Sequence, residues 1–316
     1  MYRFSILFLA LDLLSIRLSG AQPATASAIP YVERGNQWIA KRELDRAIAD
    51  FTLALAFDEN LPAAWLNRGL ARLEKRDLAG SIGDLTRAIE LQPRDARAYS
   101  NRAAAWYLRG DLNRAISDCN EALRFNPKLA EAFANRGIAR RDQGDLTAAL
   151  IDLNRAVALD GRNYRALVDR ATVWALNGNL ARAVADTSKA IKINPASPEA
   201  WNNRGIVRRQ QGNLDGAFSD FTRALTIEPA GADPWHNRGL TRYRKQDFEG
   251  AIADYTRAIA LEPAFAGAYS DRGAARLANG DIDGAIINFT QAIKLEQNLA
   301  EAYFNRAAAW RAKAMR

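Results

Sequence analysis

The sequence predicts an all-α solenoid of tandem helix–turn–helix hairpins. Three observations predict it. Arginine recurs at 34, 68, 102, 136, 170, 204, 238, 272 and 306, always 34 residues apart. Alanine returns at 54, 88, 122, 156, 190, 224, 258 and 292 on the same period. Between these marks the apolar residues run at helical spacing, interrupted by one glycine- or Asn/Asp-containing break and closed by proline. A fixed period of this length is the mark of a repeat architecture.

The repeat from Pro198 to Gly231 shows how each element arises, with Arg204 at position 7 of 34. Trp201, Gly205 and Arg208 lie on one face of a first helix. Gly212-Asn213 breaks it: glycine permits a left-handed turn, and asparagine caps the next helix. Leu214, Ala217, Phe221, Ala224, Leu225 and Ile227 form the apolar stripe of a second helix, which Pro229 ends. Proline stands at the same place at 93, 127, 195 and 263, while Gly161 and Gln297 depart from it. Small residues at positions 8, 20 and 27 let the two helices approach closely.

This pattern resembles the tetratricopeptide repeat, whose signature is W-x2-L-G-x2-Y, then A-x3-F, then P. Trp201-x2-Arg204-Gly205 with Ala217-x3-Phe221 and Pro229 carries the resemblance, as do Tyr269-x2-Arg272-Gly273 and Ala285-x3-Phe289. It implies eight repeats over residues 28–299, a terminal single helix over 300–316, and a right-handed α-solenoid with only neighbour contacts. Its implied function is binding of peptide or protein segments in a groove lined by the first helices, without enzymatic activity.

Residues 1–27 differ from the repeats. Arg3 precedes an apolar run from Phe4 to Ile16, and small residues follow, with Asp12 as the one charge in the run. The pattern reads as a secretory signal peptide and short linker, cleaved after Ala21 or Ala26. Export to the periplasm or the medium is then expected, and a cytoplasmic location otherwise.

Composition narrows the chemistry. Among 316 residues there is one cysteine, Cys119, and one histidine, His236. These exclude a disulfide framework and a thiolate or multi-histidine metal cage, and leave no pair for nucleophilic catalysis. No catalytic residue, metal ligand or cofactor is expected. Cys119 falls at position 24, a packing slot that Phe51, Leu85 and Phe221 fill elsewhere.

The formal charge of +8 comes with 44 basic and 36 acidic residues. Position 7 departs from the family leucine in holding arginine throughout. Sixteen residues on, position 23 is Asp50, Asp84, Asp118, Asp152, Asp186, Asp220 and Asp254, then Asn288. A half-buried guanidinium needs a carboxylate, so an ion-pair ladder is predicted among Arg68, Asp84, Arg102, Asp118, Arg136, Asp152, Arg170, Asp186, Arg204, Asp220, Arg238 and Asp254. Pairing within a repeat (Arg68–Asp84) or across repeats (Asp84–Arg102) would both fit; the alternative is exposed arginines that merely favour helix. Position 11 carries Arg72, Arg140, Arg208, Arg242 and Arg276, read as further members of the network, or Trp38, Trp106, Trp174 and Trp310, read as core. Positions 7 and 11 absorb 14 of 36 arginines, which weakens a nucleic-acid reading. A polyanion-binding basic solenoid stays as an alternative.

The candidate groove consists of Asn36, Leu66, Asn67, Leu70, Leu73, Arg97, Asn101, Tyr107, Asn135, Arg141, Asn203, Arg209, His236, Asn237 and Tyr243. Its asparagines could hold an extended peptide backbone or merely bond local groups. Its first part is apolar, through Val32, Ile39, Leu66, Leu70 and Leu73, and its later part basic and polar, through Arg141, Arg209, His236 and Arg244. Residues 22–30 folding back over Leu66, Leu70 and Leu73 is the alternative to an exposed apolar patch. Val32, Asn36, Asn67, Arg97 and Asn101 occupy the positions of the carboxylate clamp of some family members, matching three of five, so a co-chaperone-type adaptor is a second alternative. In the terminal helix, Tyr303, Phe304 and Trp310 are expected to bury one side, with self-association through the other.

Overall fold

The structure, a computed structural model, describes residues 23–315, so residues 1–22 of the predicted leader and linker (residues 1–27) lie outside the described residues. Residues 23–27 belong to the first helix, α1, rather than to a linker.

The described residues form seventeen α-helices and no strand. First helices of the repeats are α1 (Pro23–Ala40), α3 (Pro62–Glu74), α5 (Ala96–Leu108), α7 (Ala130–Asp142), α9 (Tyr164–Leu176), α11 (Pro198–Gln210), α13 (Ala232–Arg244) and α15 (Ala266–Ala278). Second helices are α2 (Leu44–Phe57), α4 (Leu78–Leu91), α6 (Leu112–Phe125), α8 (Leu146–Leu159), α10 (Leu180–Ile193), α12 (Leu214–Ile227), α14 (Phe248–Leu261) and α16 (Ile282–Leu295). A last first-type helix, α17 (Ala300–Ala314), follows. The chain divides into two compact units, one ending at Val173 and the other starting at Trp174, within α9. In each unit the helices pack against their neighbours along the chain, and first helices also touch the next first helix.

The turn inside each hairpin is specified at two adjacent positions. Position 15 has positive φ in every repeat, through Gly110, Gly144, Gly178, Gly212 and Gly280, but also through Arg42, Arg76 and Gln246 at φ 59°, 66° and 64°. The next residue caps the second helix: Asp77, Asp111, Asp145, Asn179, Asn213, Asp247 and Asp281 each accept a backbone N–H from the first turn.

Helix approach inside the hairpin is set by positions 8 and 24. A Cβ on Gly205 would lie 2.7 Å from the Phe221 ring, and Gly35, Gly69, Gly137, Gly239 and Gly273 face Phe51, Leu85, Leu153, Tyr255 and Phe289 as closely, at 2.6–2.8 Å. All six large side chains are fully buried. Where position 8 is alanine, at Ala103 and Ala171, position 24 is the smaller Cys119 or Thr187. Cys119 is buried, and burial pushes its thiol pKa up, which suppresses thiolate chemistry.

The tryptophans at position 11 border the core rather than being enclosed by it: Trp38 and Trp106 pack against core clusters. Trp38, Trp106 and Trp174 are half-buried and stack with Arg46, Arg114 and Arg182, while Trp310 is 52% exposed.

Candidate functional site

The arginine of position 7 is held from three sides. In the repeats where the pair lies within one unit and position 23 is aspartate, the arginine donates in a parallel fork to that carboxylate: Arg68 Nε and NH2 to Asp84 at 2.9 and 2.8 Å, and Arg204 to Asp220 at 2.9 and 2.7 Å. Arg34–Asp50, Arg102–Asp118, Arg136–Asp152 and Arg238–Asp254 repeat the geometry. Carboxylate pairing is thus within the repeat. Arg170 and Asp186 belong to different units. Where position 4 is aromatic, which excepts Leu167, the guanidinium also lies over that ring, as Arg68 over Trp65 at 4.7 Å.

Its third contact crosses to the preceding repeat. Arg68 NH1 donates to Thr52, Arg102 to Thr86, Arg136 to Asn120, Arg170 to Asn154, Arg204 to Ser188, Arg238 to Thr222, Arg272 to Thr256 and Arg306 to Thr290. Position 25 is therefore always a short side-chain acceptor. The sequence reading missed this, although Thr, Asn or Ser at every 34th residue was the signal. Arg72, Arg140 and Arg208 add a donor to the same aspartates at 2.8, 2.7 and 2.9 Å, and Trp38 Nε1 does so to Asp50 at 3.0 Å. The hydrogen bonds from Arg34 hold the Asp50 carboxyl below its usual range. Where Asn288 replaces the aspartate, burial and the neighbouring Arg276 charge lower the Arg272 pKa.

The first-helix face departs from expectation in its first half. Leu66, Leu70 and Leu73 are only 5%, 5% and 3% exposed. Leu66 and Leu70 pack with Leu85, Ala88, Ile89 and Ala98; Leu73 packs with Ile82, Ala104 and Ala105. The apolar patch expected there is closed by residues of α4 and α5.

The asparagine row is likewise engaged. Asn67 donates to Asn36 at 2.8 Å, Asn135 to Ser100 O at 3.3 Å, and Asn237 to Asn202 at 3.2 Å, each joining adjacent repeats. Asn101, Asn135 and Asn203 are buried. Val32 is buried as well, so two of the five clamp positions are covered and Asn36 and Asn67 bond each other; Arg97 is half-buried beside Asp95 at 3.6 Å. Tyr107 donates to Asp142 at 2.6 Å. Arg141 is also buried; the hydrogen bond to Asp142 and the charge of Asp169 outweigh the larger opposing effect of its burial and raise its pKa.

The second unit keeps an opening. A cleft of about 510 Å³ is lined by Leu240 and Tyr243 of α13, Tyr255 of α14, Asp271, Ala274, Leu277 and Ala278 of α15, and Glu301 and Asn305 of α17. Its lining combines apolar side chains with the carboxylates of Asp271 and Glu301. His236 Nε2 lies 2.7 Å from Asp271 Oδ2 and the ring packs on Phe265 and Tyr255, which fixes that carboxylate at the edge. Burial raises the Tyr255 pKa, keeping its phenol protonated. Arg209 donates to Asn237 at 3.3 Å, and Arg244 donates to the Arg209 carbonyl at 3.4 Å. The later face opens in a cleft that carries two carboxylates, beside which Arg209 and Arg244 bond neutral acceptors and keep their charge. Of the predicted groove residues, only Tyr243 lines the cleft, with His236 behind its rim.

No group of three or more metal-ligating side chains converges among the described residues, and no described helix is long and apolar enough to cross a membrane.

Comparison with known proteins agrees with this geometry. No curated protein sequence matches the chain. Among solved structures, the APC/C hetero-tetramer Cut9–Hcn1 is similar over 92% of this chain with a TM-score of 0.72 at 15% identity; the chain spans 57% of that one. A tetratricopeptide repeat protein from Parabacteroides merdae is similar over 79% of this chain and 98% of its own, with a TM-score of 0.60 at 20% identity. The pilF structure of Pseudomonas aeruginosa is similar over 69% of this chain and 100% of its own, with a TM-score of 0.60 at 19% identity. These likenesses show the fold. Tetratricopeptide repeat sequence models match residues 66–130, 135–198 and 198–230, and a further TPR repeat model matches 240–280. The chain belongs to the tetratricopeptide repeat family.

Proposed function

We propose that the chain is a non-enzymatic protein–protein interaction scaffold that binds a polypeptide segment in the cleft of α13, α15 and α17. The observation that carries this reading is the cleft itself, lined by Leu240, Tyr243, Ala274 and Leu277 together with Asp271 and Glu301. That arrangement suits a segment with an aliphatic or aromatic anchor flanked by lysine or arginine. A preformed, hydrogen-bonded wall lowers the ordering cost of association. The burial of Val32 and Asn101 weighs against a carboxylate clamp. The pairing of the position 7 arginines with aspartates weighs against polyanion binding.

The leader reading belongs to the same proposal. Arg3 and the run Phe4–Ile16 support export, so the scaffold works in the periplasm or outside the cell. Sequencing the N-terminus of the protein from cell fractions tests it; a cytoplasmic pool starting at Met1 contradicts it.

Selection of peptides from a random library on the full chain tests the cleft. Enriched peptides should share an apolar anchor with basic flanks. Their affinity should fall about tenfold or more on Ala278→Arg, which fills the cleft and repels the flanks. Undiminished affinity for that variant contradicts the proposal.

A further inference from the structure

The opposite face of α17 carries a second reading. Eight of nine residues are shared between Ala98–Trp106 of α5 (AYSNRAAAW) and Ala302–Trp310 of α17 (AYFNRAAAW). In α5 this stretch is covered by α6. Asp118 receives the Arg102 fork at 2.7 and 2.8 Å, Cys119 is fully buried, and Ala115 and Ala122 are 1% and 0% exposed.

In α17 the same side chains stand uncovered. Tyr303 is 43% and Trp310 52% exposed, and the buried side consists of Ala302 and Ala309. The expectation that the aromatics bury one side therefore fails. Positions 3 and 10 pack on the preceding repeat, whereas positions 4 and 11 border both that repeat and the hairpin's own second helix. Arg306 is nevertheless already positioned. It lies 5.5 Å from the Tyr303 ring centre and donates to Thr290, as Arg102 lies 5.6 Å from Tyr99 and donates to Thr86. Among the described residues no carboxylate is paired with Arg306.

We infer that this face, formed by Tyr303, Arg306, Ala307 and Trp310, docks an amphipathic helix of a partner protein with the pattern Ala-x2-Asp-small-x2-Ala. The aspartate takes the Arg306 fork. The small residue follows from the rule of positions 8 and 24: alanine at position 8, as at Ala307, goes with Cys119 or Thr187, and glycine with a large side chain. The occupant is a partner rather than a second copy, because a second copy could offer such a helix only by giving up one already packed in its own hairpin.

The test uses the full chain and a labelled peptide of the sequence Leu112–Phe125 with Cys119→Ser, stapled on its outer side to offset helix nucleation. Anisotropy titration should show saturable binding below about 1 mM. Asp118→Asn or Cys119→Phe in the peptide should each weaken it about tenfold. Arg306→Ala and Trp310→Ala in the protein should do the same, with unchanged circular dichroism, while Ala278→Arg in the cleft has no effect. Absence of binding, or equal binding of the Asp118→Asn peptide or the Arg306→Ala protein, overturns the inference. So does dimerisation of the chain that Trp310→Ala abolishes and the peptide does not compete, which would give the face to a second copy.

Discussion

Arg136 grips Asp152 with two parallel donors at 2.9 and 2.7 Å while its third nitrogen reaches Asn120 of the preceding repeat at 2.7 Å. One guanidinium thus closes a hairpin and joins it to its neighbour. The family leucine at this position could only pack.

Asp152 is 1% exposed and also accepts from Arg140 at 2.7 Å. Asp152→Ala leaves two arginines without their carboxylate, and a loss of about 3–5 kcal/mol is expected from breaking a buried pair on one side. Urea denaturation measures it. A loss below about 0.5 kcal/mol would mean solvated charges.

Asn288 supplies the converse. It gives Arg272 a neutral acceptor at 2.7 Å, and Arg276, whose Nε lies 3.6 Å from Asp281, stands nearby. Asn288→Asp should stabilise the last hairpin by about 1–3 kcal/mol at neutral pH, the range of hydrogen bonds to charged groups. The new carboxyl, like that of Asp50, would titrate below its unfolded value near 4. The gain is therefore complete above about pH 5 and lost as pH falls through the depressed folded pKa. Denaturation of both proteins across pH 2–7 reads this out, with ~4 as the expected onset of the loss.

The pairing of positions 8 and 24 predicts a compensating double substitution. Cys119→Phe against Ala103 should overpack the hairpin by about 1–3 kcal/mol. Adding Ala103→Gly recreates the arrangement of Gly205 and Phe221, where no Cβ intervenes, and should recover most of the loss. A double-mutant cycle measures the coupling; additive effects would contradict the packing rule.

Gln246 holds a left-handed turn at φ 64° where most repeats use glycine. Gln246→Gly should raise stability by up to about 1 kcal/mol, the relief of left-handed strain less the entropy glycine adds to the unfolded chain. Thermal denaturation checks the sign.

How far these features could be read in advance depended on their range. Arg68 and Asp84 repeat as chemical types at a fixed offset, so the ladder was legible, and the choice between Asp84–Arg68 and Asp84–Arg102 was not, because both offsets recur equally. Thr52 and its counterparts vary among Thr, Asn and Ser, and looked like ordinary helix surface. The closure over Leu66 and Leu70 depends on how near α5 comes, which side-chain volumes in two other helices decide. The open cleft at Leu240 and Leu277 was obscured for the same reason.

Hydrogen–deuterium exchange of the full chain with and without a library-selected peptide tests the central claim most directly. Slowed exchange confined to α13, α15 and α17 is the predicted result. Protection instead on α3 and α5, around Leu66 and Leu70, would contradict it.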